Sequence, residues 1–311
     1  MRKLIVATQT EQRLDKYLQQ IFPSVGFGRW SRAVKENKLK VNGKKQPLSF
    51  RVQQGDEICI FLPEEILNGQ THKEKIAVYE DENILICNKP AGLPVYGELP
   101  DTLLSRAQHY LQEKGEYTPG KDFEPCLCHR LDTGTSGLVI VAKNQKAESF
   151  IVNLMAAHQL KKEYLCVTFG KPVPTKAALK AYLYKDSVKG IVYIENAKRI
   201  GSKPIETHYQ TLCSSKRLAL LKVELITGRT HQIRAHMASI GCPVLGDSKY
   251  GNQTANREFK LKYQALCSWK LTFPEIESKQ FAKLSNLEVC AEYPWYYQQM
   301  IENTLEPSLK K

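Results

Sequence analysis

Residues 126–143 read CLCHRLDTGTSGLVIVAK, two apolar runs on either side of a short loop of Asp, Thr, Gly and Ser. Runs of this length predict two strands, Cys126–Leu131 and Leu138–Lys143, joined by a tight turn. Such a loop exposes backbone N–H groups, which can hold a carboxylate in its ionised form. Asp132 is therefore a candidate covalent nucleophile. The alternative is an Asp that only closes a turn.

Helical and strand patterns extend outward from this loop in both directions. The pattern predicts strand structure over Val78–Asn88, helices over Thr102–Lys114, Gln145–His158 and Thr230–Ile240, and strands over Lys162–Phe169 and Leu218–Ile226. Many strands with fewer helices indicate an α+β fold for a domain that spans residues 76–301. Residues 302–311 are expected to form a polar tail.

The first 62 residues have the pattern of a separate small unit. The spacing of apolar residues predicts helices over Arg13–Phe22 and Gly28–Asn37, then strands over Leu39–Val41 and Glu57–Leu62. The pair Asn42-Gly43 is a strong signal for a hairpin turn. Residues 63–75 are polar and contain Pro63 and Gly69, which is typical of a linker.

The charge of the chain favours a polyanionic partner such as RNA. Lys and Arg number 45 against 32 Asp and Glu, which gives a formal net charge of +13. The candidate RNA-binding residues of the first unit are Arg13, Lys16, Arg29, Arg32, Lys35, Lys44 and Lys45. Arg29, Arg32 and Lys35 would project to one side of the second helix. A solvated basic face is the alternative for all seven.

The nine cysteines, an odd number, stand mostly within apolar runs, as in a protein of a reducing compartment. Cys126, Cys128 and His129 are close in sequence, but no second Cys pair follows at zinc-finger spacing, so no metal site is expected. No apolar run reaches the roughly 18 residues of a membrane span. The apolar stretch after the basic first residues is too short for a secretory signal, so a cytoplasmic protein is expected.

The string His129–Leu138, with Ala142-Lys143 after it, resembles the signature of the RluA-type pseudouridine synthases. Further segments resemble this family in the expected order: Tyr79–Asp81 with Asn88–Val95, Lys161–Val167, and Thr227–His236 followed by Gly246–Gly251. The resemblance covers residues 76–275. It implies a mixed, mainly antiparallel sheet and an enzyme that isomerises uridine to pseudouridine in RNA. That reaction requires no cofactor or metal, and the protein is expected to be a monomer.

The resemblance also implies roles for individual residues. Asp132 would be the nucleophile. The sequence leaves open whether it attacks C1′ of the sugar or C6 of uracil, or acts as a base through a glycal. Tyr164 would stack on the uracil and help to remove the C5 proton. Arg234 would pair with Asp132 and keep it ionised, with Arg229 as the rival partner. Arg130 would fill the gap left by the flipped nucleotide.

Several other positions near these motifs have weaker assignments. His129, His231 and His236 are expected to have structural or RNA-contact roles, because His231 and His236 are five residues apart and do not share a helix face. Two segments depart from the family pattern. Tyr96 stands where His is frequent, and residues 265–269 read ALCSW where a Leu-His-Ala run is usual.

The first 62 residues resemble the S4 RNA-binding domain, a small helix-helix-strand module. The matching segments are Arg13–Leu18, Ser31-Arg32, Val41–Lys44 and Gly55-Asp56. A domain of this kind before an RluA-type domain favours large-subunit (23S-type) ribosomal RNA as the substrate, with transfer RNA as the alternative. In the family the basic side chains of the module face folded RNA.

Two other classes of protein compete with this interpretation. An aspartic protease would use the Asp132-Thr133-Gly134 segment, but it needs two carboxylates that share a proton. The sequence has no second Asp-Thr-Gly, so that class would require a dimer. A non-catalytic RNA-binding or ribosome-assembly protein with the same fold is the second competitor, and substitution of Asp132 would leave its function intact.

Overall fold

A computed structural model of the chain describes residues 2–8, 10–23, 25–62, 67, 76–97, 99 and 101–307. The chain divides into two compact units, Met1–Lys75 and Ile76–Lys311. The expected linker, 63–75, lies outside the described residues except for Leu67, and the expected tail is described only as far as residue 307. In the described part of the chain, no helix is long and apolar enough to cross a membrane.

The first unit combines a small sheet with two helices. Strands β1 (Arg2–Ile5), β5 (Glu57–Ile60) and β3 (Leu39–Val41) pair antiparallel in that order, and β2 (Gln12–Arg13) pairs with β4 (Arg51–Val52). The helices are α1 (Leu14–Ile21) and α2 (Phe27–Lys35), within two residues of their predicted bounds. Both helices bury their apolar faces in one core, whose fully buried members include Leu14, Leu18 and Trp30.

The predicted hairpin of this unit is only partly present. Asn42 and Gly43 have φ values of 50° and 74°, as a primed turn requires. However, a single bridge between Val41 and Lys44 follows the turn, and β3 pairs with β5 instead of a returning strand. The strand β1 was not predicted, because four residues at the start of the chain are too few to establish an alternating pattern.

The described residues of the second unit contain one sheet of eleven strands. They are β6 (Ala77–Glu80), β7 (Ile84–Lys89), β8 (Cys126–Leu127), β9 (Ser136–Ala142), β10 (Lys161–Phe169), β11 (Lys176–Asp186), β12 (Ile191–Glu195), β13 (Lys203–Ser214), β14 (Leu218–Leu225), β15 (Leu266–Thr272) and β16 (Glu288–Cys290). The main path is β12-β11-β13-β14-β10-β15-β9-β7-β6. Its pairs are antiparallel except β9 with β15, which confirms a mixed, mainly antiparallel sheet.

Helices cover both faces of this sheet. They are α3 (Leu103–Glu113), α4 (Gln145–Ala156), α5 (Gln232–Ser239), α6 (Gln253–Glu258) and α7 (Trp295–Ile301), with a 3₁₀ turn at Lys279–Leu284. Buried side chains of α3 and α5 pack with Tyr164 and Cys166 of β10 on one face. On the opposite face, α6 and α7 pack with Leu165 and Val167 of the same strand. The alternation of β10 thus separates two cores, and Tyr164 belongs to the one with α5.

The predicted strand Cys126–Leu131 is wrong beyond Leu127. The Cys128 backbone still donates to the Ile140 carbonyl over 2.9 Å, but the Ile140 N–H donates to the His129 imidazole Nε2 over 3.1 Å. The side chain thus takes the donor that a continuing strand would have used, and the ladder ends there. Arg130 and Asp132 therefore lie in a loop and do not share a strand face.

Candidate active site

The Asp132 side chain points away from its own loop. The backbone forms a turn in which Thr135 N–H donates to the Asp132 carbonyl over 2.9 Å. The carboxylate Oδ2 instead accepts a hydrogen bond from Arg234 Nη1 at 2.7 Å. Among the described residues, no backbone N–H of the loop reaches this carboxylate, which corrects the expectation that the loop itself would hold it. The carboxylate is therefore free of the turn and paired with a cation from α5.

Close contacts with β15 and with Gln264, two residues before it, hold the loop in place. Gly137 has a φ of 107°, and a Cβ there would lie 2.2 Å from the Ser268 carbonyl oxygen. A Cβ on Gly134 would lie 2.3 Å from Gln264 Oε1, and the Gln264 amide donates to Thr135 Oγ1 at 3.0 Å. Both glycines allow the loop to approach its neighbours more closely than any side chain would permit. The position of Asp132 thus depends on the parallel pairing of β9 with β15.

Arg234 is held by a second carboxylate on its other side. Its Nε donates to Asp247 Oδ2 at 2.6 Å and its Nη2 to Oδ1 at 2.9 Å. Burial favours the neutral guanidine, but the hydrogen bonds and charges of Asp247 and Asp132 outweigh it and raise the pKa of Arg234. The pairing of Arg234 with Asp132 expected from the sequence is confirmed. Arg229, the rival partner, is exposed and has no ion pair with Asp132 among the described contacts.

Asp247 is fully buried, and its carboxylate accepts hydrogen bonds from the backbone as well as from the Arg234 guanidinium. The backbone N–H groups of Lys249 and Tyr250 also donate to its Oδ1, at 2.8 and 3.0 Å. Burial alone would raise the pKa of this carboxyl, but the Arg234 pair and the two N–H groups lower it overall. Asp247 therefore remains ionised and fixes the orientation of Arg234 toward Asp132.

Tyr164 lies on β10 with only 6% of its surface exposed, opposite Ser268 of β15. Burial raises the pKa of its hydroxyl to about 12. The negative charge of Asp132 also raises this pKa, whereas the neighbouring Ser268 hydroxyl lowers it. The hydroxyl is therefore protonated at neutral pH. Ser268 belongs to the segment that departs from the family pattern, so this chain places a small hydroxyl beside the tyrosine.

The three histidines of the motifs are neutral at pH 7. Burial lowers the pKa of His129 to about 3 and that of His236 to about 4. His231 immediately precedes α5 with a φ of 54°, and its Nε2 lies 3.9 Å from Asp132 Oδ1. Burial lowers the pKa of His231 as well, against the attraction of Asp132. The described residues contain no group of three or more His, Cys, Asp or Glu side chains that could hold a metal.

Arg130 lies at the opening of the site. Its Nη1 donates to the Tyr96 hydroxyl at 3.1 Å, and its guanidinium lies 6.0 Å from the centre of the Tyr96 ring. Tyr96 is the other position that departs from the family pattern, and in this chain it orients the exposed Arg130 side chain. Arg130 and Asp132 both line a cavity of about 580 Å³. Tyr164 and Arg234 also line it, and its volume is sufficient for a nucleotide.

Two buried lysines of the site were missed by the sequence analysis, as was Asp247. Lys89 is fully buried, and its ammonium donates to the carbonyls of Pro90, Leu93 and Thr133 at 2.9, 2.8 and 3.1 Å. Burial lowers the pKa of Lys89 to about 8, although the negative charge of Asp132 raises it. This ammonium ties the Pro90–Val95 turn to the Asp132 loop. The second, Lys162, lines the cavity itself.

The seven basic residues predicted to bind RNA are all exposed on the first unit. The Lys45 ammonium donates to the Lys35 carbonyl over 3.3 Å, which places the Asn42-Gly43 turn beside the end of α2. Arg13 is different, because it forms an ion pair with Asp15 at 2.7 Å. The described contacts give no such pair for Arg29, Arg32 or Lys35.

Comparison with known proteins identifies the family. The sequence profile described as RNA pseudouridylate synthase matches residues 83–239. A protein named ribosomal large subunit pseudouridine synthase C from Rickettsia bellii is 34% identical, with 94% of this chain and 98% of the relative covered. Its counterpart from Rickettsia felis is 33% identical, with 94% and 96% covered.

The fold has solved counterparts as well. The structure described as human RNA pseudouridylate synthase domain containing 4 superposes with a TM-score of 0.60 at 24% identity, and the match covers 74% of this chain and 93% of that one. The profile match spans the Asp132 loop, Tyr164 and Arg234. The chain thus belongs to the RNA pseudouridylate synthase family, in its RluA-type branch, and is an RNA pseudouridine synthase.

Proposed function

We propose that this enzyme isomerises specific uridines of large-subunit ribosomal RNA, with Asp132 as the nucleophile. The names of its Rickettsia relatives support the choice of RNA. One observation carries the catalytic assignment: the Asp132 carboxylate meets Arg234 at 2.7 Å in a cavity that Tyr164 also lines. A carboxylate that is paired with a cation, held in position and open to a cavity is suited to covalent catalysis.

The reaction breaks the C1′–N1 bond of uridine, rotates the freed uracil, joins C1′ to C5 and releases the C5 proton. Asp132 engages C1′ or C6, or acts as a base through a glycal. The Arg234 guanidinium, hydrogen-bonded to this carboxylate, stabilises the negative charge that the carboxylate regains when it leaves the substrate. Tyr164 supplies an aromatic face for the uracil. Because its hydroxyl is protonated, Tyr164 can take the C5 proton only by passing on its own. The acceptor is the Asp132 carboxylate, which lines the same cavity and is free again once its bond to the substrate breaks.

The decisive experiment replaces Asp132 with Asn. Release of tritium from RNA labelled at C5 of uridine should stop, whereas RNA affinity should remain close to that of the wild type. Asp122→Asn is a matched control, because Asp122 is exposed and accepts a hydrogen bond from Thr118 outside the cavity. Retained tritium release by Asp132→Asn would contradict the nucleophile assignment.

The RNA target is tested separately from the chemistry. Pseudouridines are mapped in total RNA from cells with and without the protein. The proposal predicts that sites disappear from large-subunit ribosomal RNA. Loss confined to transfer RNA would favour the alternative substrate. An unchanged map together with intact RNA binding would favour a non-catalytic RNA-binding or ribosome-assembly protein.

We infer that the first unit is an S4-like RNA-binding module. Arg29, Arg32 and Lys35 lie on α2, all exposed, and the Lys45 contact brings the turn to the same surface. Replacing these three α2 residues with Gln should lower the slope of log affinity against log salt by about 0.7–0.9 per lost phosphate contact. Lys38→Gln is the control, because Lys38 already pairs with Glu36 at 2.8 Å. An unchanged slope in the triple variant would argue against the module.

A further inference from the structure

Lys162 is an enclosed cation that has no partner among the described residues. Only 9% of its surface is exposed, and it lines the 580 Å³ cavity together with Asp132 and Tyr164. Within the described residues, its ammonium has neither a carboxylate nor a hydrogen-bond acceptor in contact. Its neighbour Lys161 is different, since it is exposed and lies 3.7 Å from both Glu163 and Glu224. The two adjacent lysines thus have opposite surroundings.

The Lys162 ammonium lies beside Gly228, and Asp132 lines the same cavity without forming an ion pair with it. Its ammonium would lie 3.7 Å from a Cβ on Gly228, the residue before the exposed Arg229. Burial lowers its pKa, and no acidic group acts in the opposite direction. The same ammonium contributes to the lowered pKa of His129. A charge that has lost most of its hydration is costly unless an opposite charge compensates it, and the Lys162 ammonium keeps only its opening to the cavity.

An anion supplied by the substrate would provide that compensation. RNA carries one negative charge per phosphodiester, and the enzyme's substrate is RNA. Lys162 stands two residues before Tyr164 on β10, a rise of about 6.8 Å along the strand. A base against Tyr164 therefore places its own backbone within reach of the four-carbon stem of Lys162. Lys89 cannot serve in the same way, because three carbonyls already occupy its protons.

We propose that Lys162 binds a phosphodiester next to the target uridine and so seats the flipped nucleotide in the cavity. This role rests on the proposed function, since it takes the nucleotide against Tyr164 as the substrate. Lys162 touches the RNA backbone and not the reacting atoms, so it is a binding residue. It is fixed on a strand and enclosed, and it therefore recognises the backbone at one position instead of along a surface.

The first experiment replaces Lys162 with Met, which keeps the apolar stem and removes the charge. The expected result is a 10- to 100-fold rise in KM for a transcript that contains a mapped site, the range of a charge-assisted contact. The salt slope of RNA affinity should fall by about 0.7–0.9. Lys162→Arg should restore most of the affinity. Lys161→Met, on the same strand with the same loss of charge, should change neither quantity.

Thermal stability separates this role from a structural one. Removing an unpaired buried ammonium should leave the Tm of Lys162→Met equal to or above that of the wild type. A lowered Tm with unchanged KM and salt slope would overturn the proposal in favour of a structural lysine. A fall in kcat with unchanged KM and salt slope would overturn it in favour of a contact with the uracil.

A second experiment locates the contact. Transcripts carry one neutral methylphosphonate linkage at successive positions around the mapped uridine. The wild type should lose affinity sharply at one linkage, and Lys162→Met should lose nothing further there, because the contact is already absent. Additive losses at every linkage would overturn the proposal. If the wild type forms no pseudouridine in any RNA, the proposed function fails, and the salt slope for a uridine nonamer still decides whether Lys162 binds phosphate.

Discussion

Replacing Asp247 with Asn tests whether the orientation of Arg234 controls catalysis. The Asn Oδ1 can keep the hydrogen bonds from Arg234 Nη2 and from the backbone of Lys249 and Tyr250. The Asn amide would face Arg234 Nε, which now donates to Asp247 Oδ2 at 2.6 Å. Two donors would then oppose each other, and the negative charge would be lost. Arg234 should therefore turn away from its present position while it retains Asp132 as a partner.

The magnitude follows from burial. Asp247 is fully buried and the Arg234 side chain is 6% exposed, so the pair falls in the class where loss of one partner costs about 3–5 kcal/mol of unfolding free energy. The lower end, about 3 kcal/mol, applies because Asp132 still compensates Arg234. A unit of this size should then lose roughly 6–12 °C in Tm. A displacement of Arg234 by about 1 Å should lower kcat about 100-fold.

The assay is single-turnover tritium release at saturating enzyme, with the Tm measured on the same samples. Glu258→Gln is the control, because Glu258 pairs with Arg217 at 2.7 Å on the surface and should cost about 1 kcal/mol or less. The control should leave kcat unchanged. A folded Asp247→Asn protein with the wild-type kcat, or one in which only KM rises, would refute the idea that Asp247 acts through Arg234.

Three further changes test other parts of the site. Tyr164→Phe keeps the aromatic face and should leave RNA affinity unchanged while it lowers kcat about 100-fold or more; an unchanged kcat would exclude the hydroxyl from proton transfer. Gly137→Ala should lower the free energy of unfolding in urea by about 3 kcal/mol or more, because its φ is 107° and a backbone carbonyl lies 2.2 Å from the added Cβ. Gly120→Ala, with φ of 75° and open space around it, should cost about 1 kcal/mol, and equal losses would contradict the packing argument. Burial lowers the pKa of His129 to about 3, so only the unfolded chain gains its proton between pH 6.5 and 3. The wild type should thus lose a few kcal/mol more stability than His129→Gln over that range, and parallel acid-denaturation curves would disprove it.

The pairing of Asp132 with Arg234 could be predicted because both residues stand in motifs that resemble one family. The bounds of the five predicted helices were also close, since they depend on local apolar spacing, whereas the short helices α6 and α7 were not predicted. The early end of the strand after Leu127 could not be predicted, because it depends on the His129 side chain taking a backbone donor. Local pattern says nothing about such a substitution of one hydrogen-bond partner for another.

The buried charges of the site could not be predicted from the sequence, for a different reason. Lys89, Lys162 and Asp247 each read as an ordinary polar residue at the end of an apolar run or in a turn. Their burial follows from which segments the sheet brings together, and β9 with β15 joins residues about 130 positions apart. The partners of a charge are therefore set by strand order, which local periodicity does not encode.

The parallel pairing of β9 with β15 also has a consequence for when the enzyme becomes active during synthesis. The Asp132 loop leaves the ribosome early, but it is held by Gln264 and by the backbone of Ser268. At about 5–20 residues per second, the missing strand follows the loop by roughly 7–27 seconds. A nascent chain on the ribosome therefore carries Asp132 before it carries the strand that holds the Asp132 loop in place, and competence to modify RNA begins only after that strand has been synthesised.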